Sequence, residues 1–216
     1  MTAIAVRELA VTLDRTPVLR GVTCAAASRG WLSLIGPNGA GKSTLIRAAA
    51  GLVPYQGAIL LDGTDVRSLR PRDRARLLGY VPQEPVLPPD MTVEQYVLLG
   101  RTPHLGYLGV LGRHDRDRAA AAMERLDVGH QQQVLELVDG LRKDGGLTVL
   151  STLHDLTAAG QYADELVLLH EGRVTASGPA AAVLTAGLIE AVYAARVSVT
   201  IGPDGRPAVT PRRLPG

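Results

Sequence analysis

Phenylalanine is absent from the 216 residues, tryptophan occurs once and tyrosine six times. Proteins that hold single-stranded nucleic acid stack its bases on aromatic rings, and this chain has few to offer. Charge of one sign is lacking too: 23 basic residues stand against 21 acidic ones, a net charge of +2. A dedicated nucleic-acid binder needs a concentrated basic face, so nucleic acid is not an expected partner. Cys24 is the only cysteine, which excludes an internal disulfide and points to a buried free thiol in a reducing compartment. No apolar run approaches the roughly 20 residues that span a bilayer. Arg7 and Glu8 interrupt the N-terminal apolar stretch, so no cleavable signal is read there. The expected location is cytoplasmic, with any membrane attachment made through a partner.

What is present is enough to build a core. Hydrophobic residues make up 46% of a chain of single-domain length. Residues 4–13 alternate and are β-branched, predicting a strand; a turn at Asp14–Pro17 leads to a second near Val18–Cys24. Trp31–Ile35 reads as a short buried strand that runs into a glycine loop, and Ser43–Ala50 as a helix. Strands are expected at Gly57–Leu61 and Tyr80–Gln83, with a basic helix at Arg70–Leu78 between them. After the prolines at 85, 88 and 89, helices are expected at Met91–Gly100, Asp115–Leu126 and Val134–Leu141. A strand at Leu147–Thr152, a helix at Leu156–Tyr162 and a hairpin about Glu171-Gly172 follow. Short helices near Ala180–Leu184 and Leu188–Tyr193 precede a last hairpin turning at Gly202–Gly205. Alternating strands and helices of this kind predict an α/β fold with a mainly parallel core sheet and N-terminal antiparallel strands.

Gly36-Pro37-Asn38-Gly39-Ala40-Gly41-Lys42-Ser43-Thr44 has the spacing of a P-loop in its required setting, strand before and helix after. Glycines let the backbone approach phosphates and turn its N–H groups inward, and the helix N-terminus favours anions. Lys42 is placed to reach the β- and γ-phosphates, and the Ser43 hydroxyl to ligate Mg²⁺. The phosphate-binding set is therefore Gly36, Asn38, Gly39, Ala40, Gly41, Lys42, Ser43 and Thr44, with ATP and Mg²⁺ as the expected cofactors.

The wording of this loop resembles the nucleotide-binding subunits of ABC transporters, and the likeness extends over nearly the whole chain. Tyr80-Val81-Pro82-Gln83 is similar to that family's Q-loop, which implies that Gln83 contacts the metal and senses the transmembrane partner. Ser151-Thr152-Leu153-His154-Asp155 is similar to its switch-histidine loop, which implies that His154 reads the γ-phosphate. Leu126-Asp127-Val128 resembles the D-loop, implying that Asp127 touches the opposite subunit of a homodimer or mixed dimer. The resemblance implies a P-loop NTPase fold in one nucleotide-binding domain: residues 1–84 and 127–187 as core halves, 85–126 as a truncated helical subdomain, and 188–216 as an extension. Leu98–His104 and the Val-rich tail after Tyr193 are similar to importers of iron–siderophore complexes, haem or cobalamin. That branch implies membrane permease subunits as direct partners, an external solute-binding protein as an indirect one, and a peripheral position on the inner face of the cell membrane. His104 has no second ligand at workable spacing and is read as a loop residue. The aromatic on which the family stacks adenine is matched by Leu13.

Two family elements are not found. No Ser-Gly-Gly occurs, so the signature loop has no counterpart; Gly145-Gly146 reads as a turn. No apolar strand ending in Asp-Glu occurs between the helical region and the D-loop. Ile59-Leu60-Leu61-Asp62 has such lettering but lies too early, Val138-Asp139 sits on a helix, and Asp164-Glu165 precedes an apolar strand. Roughly forty to fifty residues are missing against the family's usual length, and the join is placed at Glu124–Val128, where one Leu-Asp-Val stands for two. The Asp that holds Mg²⁺ and the Glu that orients water are then both lacking, and impaired hydrolysis is expected. The strand at Leu147–Thr152 and the one at Gly79–Gln83 lose their shared neighbour, so they must pair imperfectly or leave open edges. The rival readings are a non-hydrolysing regulatory or decoy protein and an unrelated P-loop kinase.

Overall fold

The computed structural model describes residues 2–83, 90–106, 109–124 and 131–213. The chain divides into two compact units: Met1–Ser68 with Asp139–Gly216, and Leu69–Val138.

The first unit contains two sheets and a hairpin. Strands β1 (Thr2–Leu13) and β2 (Thr16–Ala27) are antiparallel, and β4 (Gln56–Leu61) and β5 (Thr64–Asp65) extend the sheet in the order β2-β1-β4-β5. The buried side of β1 changes parity part-way, from Ile4 and Val6 to Leu9 and Val11. A bulge at Glu8, which has φ 47°, makes the change. It needs room on the neighbouring strand: a Cβ on Gly57 would lie 2.4 Å from the Glu8 carbonyl oxygen.

The second sheet runs β6-β3-β7-β8. Its centre is β3 (Trp31–Ile35), buried at every position and parallel both to β6 (Val149–Thr152) and to β7 (Glu165–His170). A strand covered on both faces is near-continuously apolar rather than alternating, and Trp-Leu-Ser-Leu-Ile follows this with one small polar residue, Ser33, fully buried at its centre. Strand β8 (Arg173–Pro179) is antiparallel to β7. The two sheets meet where β2 crosses the β7–β8 turn. The Arg20 N–H donates to the Gly172 oxygen at 2.9 Å, and a Cβ on Gly172 would lie 2.2 Å from the Val18 oxygen.

Helices α1 (Lys42–Ala49), α6 (Leu156–Tyr162), α7 (Ala180–Val183) and α8 (Ala186–Tyr193) belong to this unit. The hairpin of β9 (Val197–Ile201) and β10 (Pro207–Pro211) follows them. Helix α5 (Gln131–Gly145) contributes its C-terminal turns. There Arg142 ties three segments together. It donates to Asp139 at 2.7 Å, to Asp164 at 3.1 Å and to the Arg29 oxygen at 3.0 Å. Asp164 also accepts from the Trp31 N–H at 2.8 Å.

The second unit has helices α2 (Pro71–Leu77), α3 (Val93–Leu99) and α4 (Arg113–Glu124), together with the N-terminal part of α5. Helix α3 starts with a capping box, Thr92 and Gln95 each bonding the other's backbone. Polar ties hold this unit: Arg72 and Arg76 both donate to the Pro103 oxygen, at 2.9 and 2.8 Å, and Arg101 meets Asp115 at 2.9 Å. Neither α2 nor α3 buries a residue, and Val93 and Val110 are exposed.

The structure corrects one strand. Tyr80–Gln83 takes no strand conformation, and Val81 is 89% exposed. A strand exists only by pairing, and no described strand pairs with this segment. Among the described strands β6 pairs only with β3 and so lies at the end of its sheet, each of its four residues half-buried. The Arg70–Leu78 helix is present, but it is not merely a solvated face, since two of its arginines hold the Pro103 turn. Cys24 is half-buried and free, and burial pushes its thiol up to about 11.

Candidate nucleotide-binding site

The loop between β3 and α1 is shaped by three glycines in conformations closed to other residues. Gly36 has φ 143°, and a Cβ there would lie 2.1 Å from the Leu169 oxygen. Gly41 has φ 99°, with a would-be Cβ 2.5 Å from the Leu19 Cδ2 on β2. Gly39, at φ 81°, lies at the exposed tip beside Asn38. The loop is thus pressed against β7 on one side and β2 on the other, while its tip stays open.

Helix α1 starts directly after Gly41, which provides no side-chain cap. Its first N–H groups receive no capping side chain, the arrangement that suits an anion. Ser43 is exposed and Thr44 half-buried at this end; Ala40 is packed inside. Lys42 is 6% exposed and folds back over the loop, donating to the Gly36 and Pro37 oxygens at 2.6 and 2.8 Å. Burial lowers the pKa of its ammonium. Two carbonyls therefore occupy the lysine where phosphate oxygens would compete for it.

His154 follows β6 and is exposed. Because β3 and β6 are parallel, with Leu34 opposite Thr152, the His154 loop and the phosphate loop leave the same carboxyl edge of the sheet from adjacent strands. Ligands of open α/β sheets bind at that edge. Asp155 caps α6 immediately after the histidine, accepting from the Thr157 and Ala158 N–H groups at 2.7 and 3.1 Å. Strand pairing alone thus brings His154 into the neighbourhood of Gly36–Thr44.

Gln83 is exposed and belongs to the second unit. Asp127 lies outside the described residues. His104 sits exposed in a 3₁₀ turn, Thr102–His104. No group of three His, Cys, Asp or Glu side chains able to hold a metal occurs among the described residues. Leu13, at the end of β1, is half-buried. Sequence reasoning missed Tyr193, whose pKa burial pushes up and the Gly36 backbone partly lowers. It also missed the Trp31 Nε1 bond to the Ser151 Oγ, 2.8 Å, across β3 and β6. Neither carries a local signal, since both join residues more than a hundred positions apart.

The pattern of the ABC transporter family matches residues 19–147, more than half of the chain. The chain belongs to the ABC transporter family. The hemin import ATP-binding protein HmuV of Myxococcus xanthus is 34% identical over 83% of this chain and 89% of its own length. The petrobactin import ATP-binding protein FpuC of Bacillus anthracis is 31% identical over 85% of this chain and 83% of its own. The ferric enterobactin transport ATP-binding protein FepC of Escherichia coli is 28% identical over 94% and 92%. Among solved structures, the chain resembles a metal-chelate-type ABC transporter in an inward-facing conformation, with TM-score 0.75, 19% identity, and coverage of 99% and 98%. The dimeric ABC transporter cassette MJ0796 gives TM-score 0.71 at 17% identity, over 82% of this chain and 98% of that one. The α/β P-loop architecture expected from the sequence is the one these structures share. No described helix is long and apolar enough to cross a membrane.

Proposed function

We propose that this ABC family member is the nucleotide-binding subunit of an importer for iron–siderophore complexes, haem or cobalamin. In this reading it docks on membrane permease subunits at the inner membrane face, pairs with a second nucleotide-binding subunit, and serves an external solute-binding protein indirectly. The cargo class rests on relatives named for petrobactin, hemin and cobalamin import.

The observation that carries the reading is the loop itself. The loop is packed at Gly36 against β7 and at Gly41 against β2, and it leads into a helix N-terminus with no side-chain cap. That geometry fits a triphosphate. Backbone N–H groups of residues 39–44 would hold the phosphates, Lys42 would exchange its two carbonyl partners for phosphate oxygens, and His154 would face the γ-phosphate from the adjacent loop. Leu13 would give the adenine an apolar contact in place of an aromatic one. Ser43 would hold Mg²⁺, which when bound neutralises charge on the phosphate oxygens.

We further infer that hydrolysis is impaired. No apolar strand ends in Asp-Glu, and no Ser-Gly-Gly occurs. The alignment lengths support an internal loss: 94% of 216 residues is about 203, which leaves about 46 of the 249 positions aligned with FepC without a residue of this chain. The edge position of β6 also suits a missing neighbour.

The test is to measure Mg²⁺–ATP binding and phosphate release on the same preparation. Micromolar binding that disappears in Lys42→Ala, with release at the level of that variant, is the expected result. Steady release abolished by Lys42→Ala would show that a carboxylate serves the site after all. Absence of binding would refute the nucleotide reading.

A further inference from the structure

The C-terminal residues reach the helix that follows one of the loops lining the candidate site. Helix α8 ends at Tyr193, and Ala194, with φ 52°, turns the chain into the β9–β10 hairpin.

The hairpin lies on α6, the helix that begins right after His154. The Thr157 hydroxyl both donates to the Val209 oxygen and accepts from the Val209 N–H, each at 3.0 Å, and so acts as a strand partner for that residue. Gln161 Nε2 donates to the Pro207 oxygen at 3.3 Å, and the Arg206 guanidinium donates to the Gly160 oxygen at 3.4 Å. The approach is so close that a Cβ on Gly160 would lie 2.6 Å from the Pro207 oxygen. A loose tail would need neither the glycine nor a hydroxyl bonded on both sides.

We propose that the C-terminal hairpin forms a brace that sets the His154 loop through α6, with Thr157 as the positioning residue. The brace rests on the nucleotide reading above, and its chemistry is that of the triphosphate. Thr157 acts on the γ-phosphate through His154, so its loss is felt by ATP, which carries that group, and not by ADP.

The experiment compares ATP and ADP affinities, with Mg²⁺, by titration calorimetry on the full chain. Loss of one hydrogen bond of ordinary strength corresponds to a roughly three- to tenfold change. Thr157→Val is expected to weaken ATP by about that factor and leave ADP within about twofold, with Thr157→Ser restoring the preference. If Thr157→Val lowers only the thermal midpoint and the ATP-to-ADP preference stays at the wild-type value, the brace is refuted while the nucleotide reading stands. If wild-type protein fails to bind, or Lys42→Ala binds as well as wild type, the nucleotide reading falls and takes the brace with it. Should the variants not fold, hydrogen exchange on wild-type protein decides. ATP should slow exchange in residues 156–162 and 197–211, and protection confined to residues 36–49 would overturn the proposal.

Discussion

At the scale of single residues, the phosphate loop turns on Gly36, where nothing larger than hydrogen is admissible. Gly36 combines φ 143° with a backbone oxygen 2.1 Å from a would-be Cβ, and neither partner can move without shifting β7. Gly36→Ala should therefore cost about 2 kcal/mol or more of stability by denaturant unfolding. Gly41→Ala meets instead the end of the flexible Leu19 side chain and should cost less. A larger loss at Gly41 than at Gly36 would mean that φ strain, and not the backbone contact, controls the loop. The spacing of these glycines was readable from the chain alone. Their reasons were not, because Leu169 and Leu19 come from strands far away in sequence.

At the scale of elements, the C-terminal end of α5 is held by charge and β6 is left open. Burial alone would raise the Asp139 carboxyl, but hydrogen bonds from Lys143 and Arg142 outweigh it and hold the carboxyl below its usual value. A carboxyl with a depressed folded pKa stabilises fully above its unfolded value of about 3.9 and loses that contribution as pH falls through the folded value. Asp139→Asn should cost about 1 kcal/mol at neutral pH and nothing at the acid end of that window, as read by thermal unfolding across pH 2–7. Strand β6 has no charged residue between Asp144 and His154 and so lacks the usual guard of a sheet edge. Leu147, 49% exposed just before it, is the place to add one. Leu147→Lys should raise the concentration at which the protein stays monodisperse in light scattering, with little change in thermal midpoint. Aggregation that is unchanged would mean that edge pairing is not its cause.

At the scale of the whole molecule, two units of unequal quality share the chain. The first buries most of the apolar core residues, on both of its sheets and its helices. Among its described residues the second buries only Ala119 and Leu135, none on α2 or α3, and adds arginine contacts to Pro103 and Asp115. Stability near 5–15 kcal/mol leaves little margin for such an arrangement. Inserting the corresponding segment of a relative, about 46 residues by the FepC alignment, between Asp127 and Val128 should raise the thermal midpoint and bring phosphate release above the Lys42→Ala level. A restored segment that changes neither would place the defect elsewhere.

The sequence by itself determined the local chemistry: the P-loop spacing, the hairpin turns and the lack of an Asp-Glu pair after an apolar run or of a Ser-Gly-Gly. These are readable because each depends on residues within a few positions of one another. Only the tertiary structure decided the rest. It left Tyr80–Gln83 without strand conformation and, among the described strands, made β6 an edge. It brought the His154 loop and the phosphate loop to one edge of the sheet through the β3–β6 pairing, and it bonded Thr157 to the C-terminal hairpin. Each of these depends on contacts between segments distant in the chain, and such pairing leaves no periodicity or spacing in the sequence from which to read it.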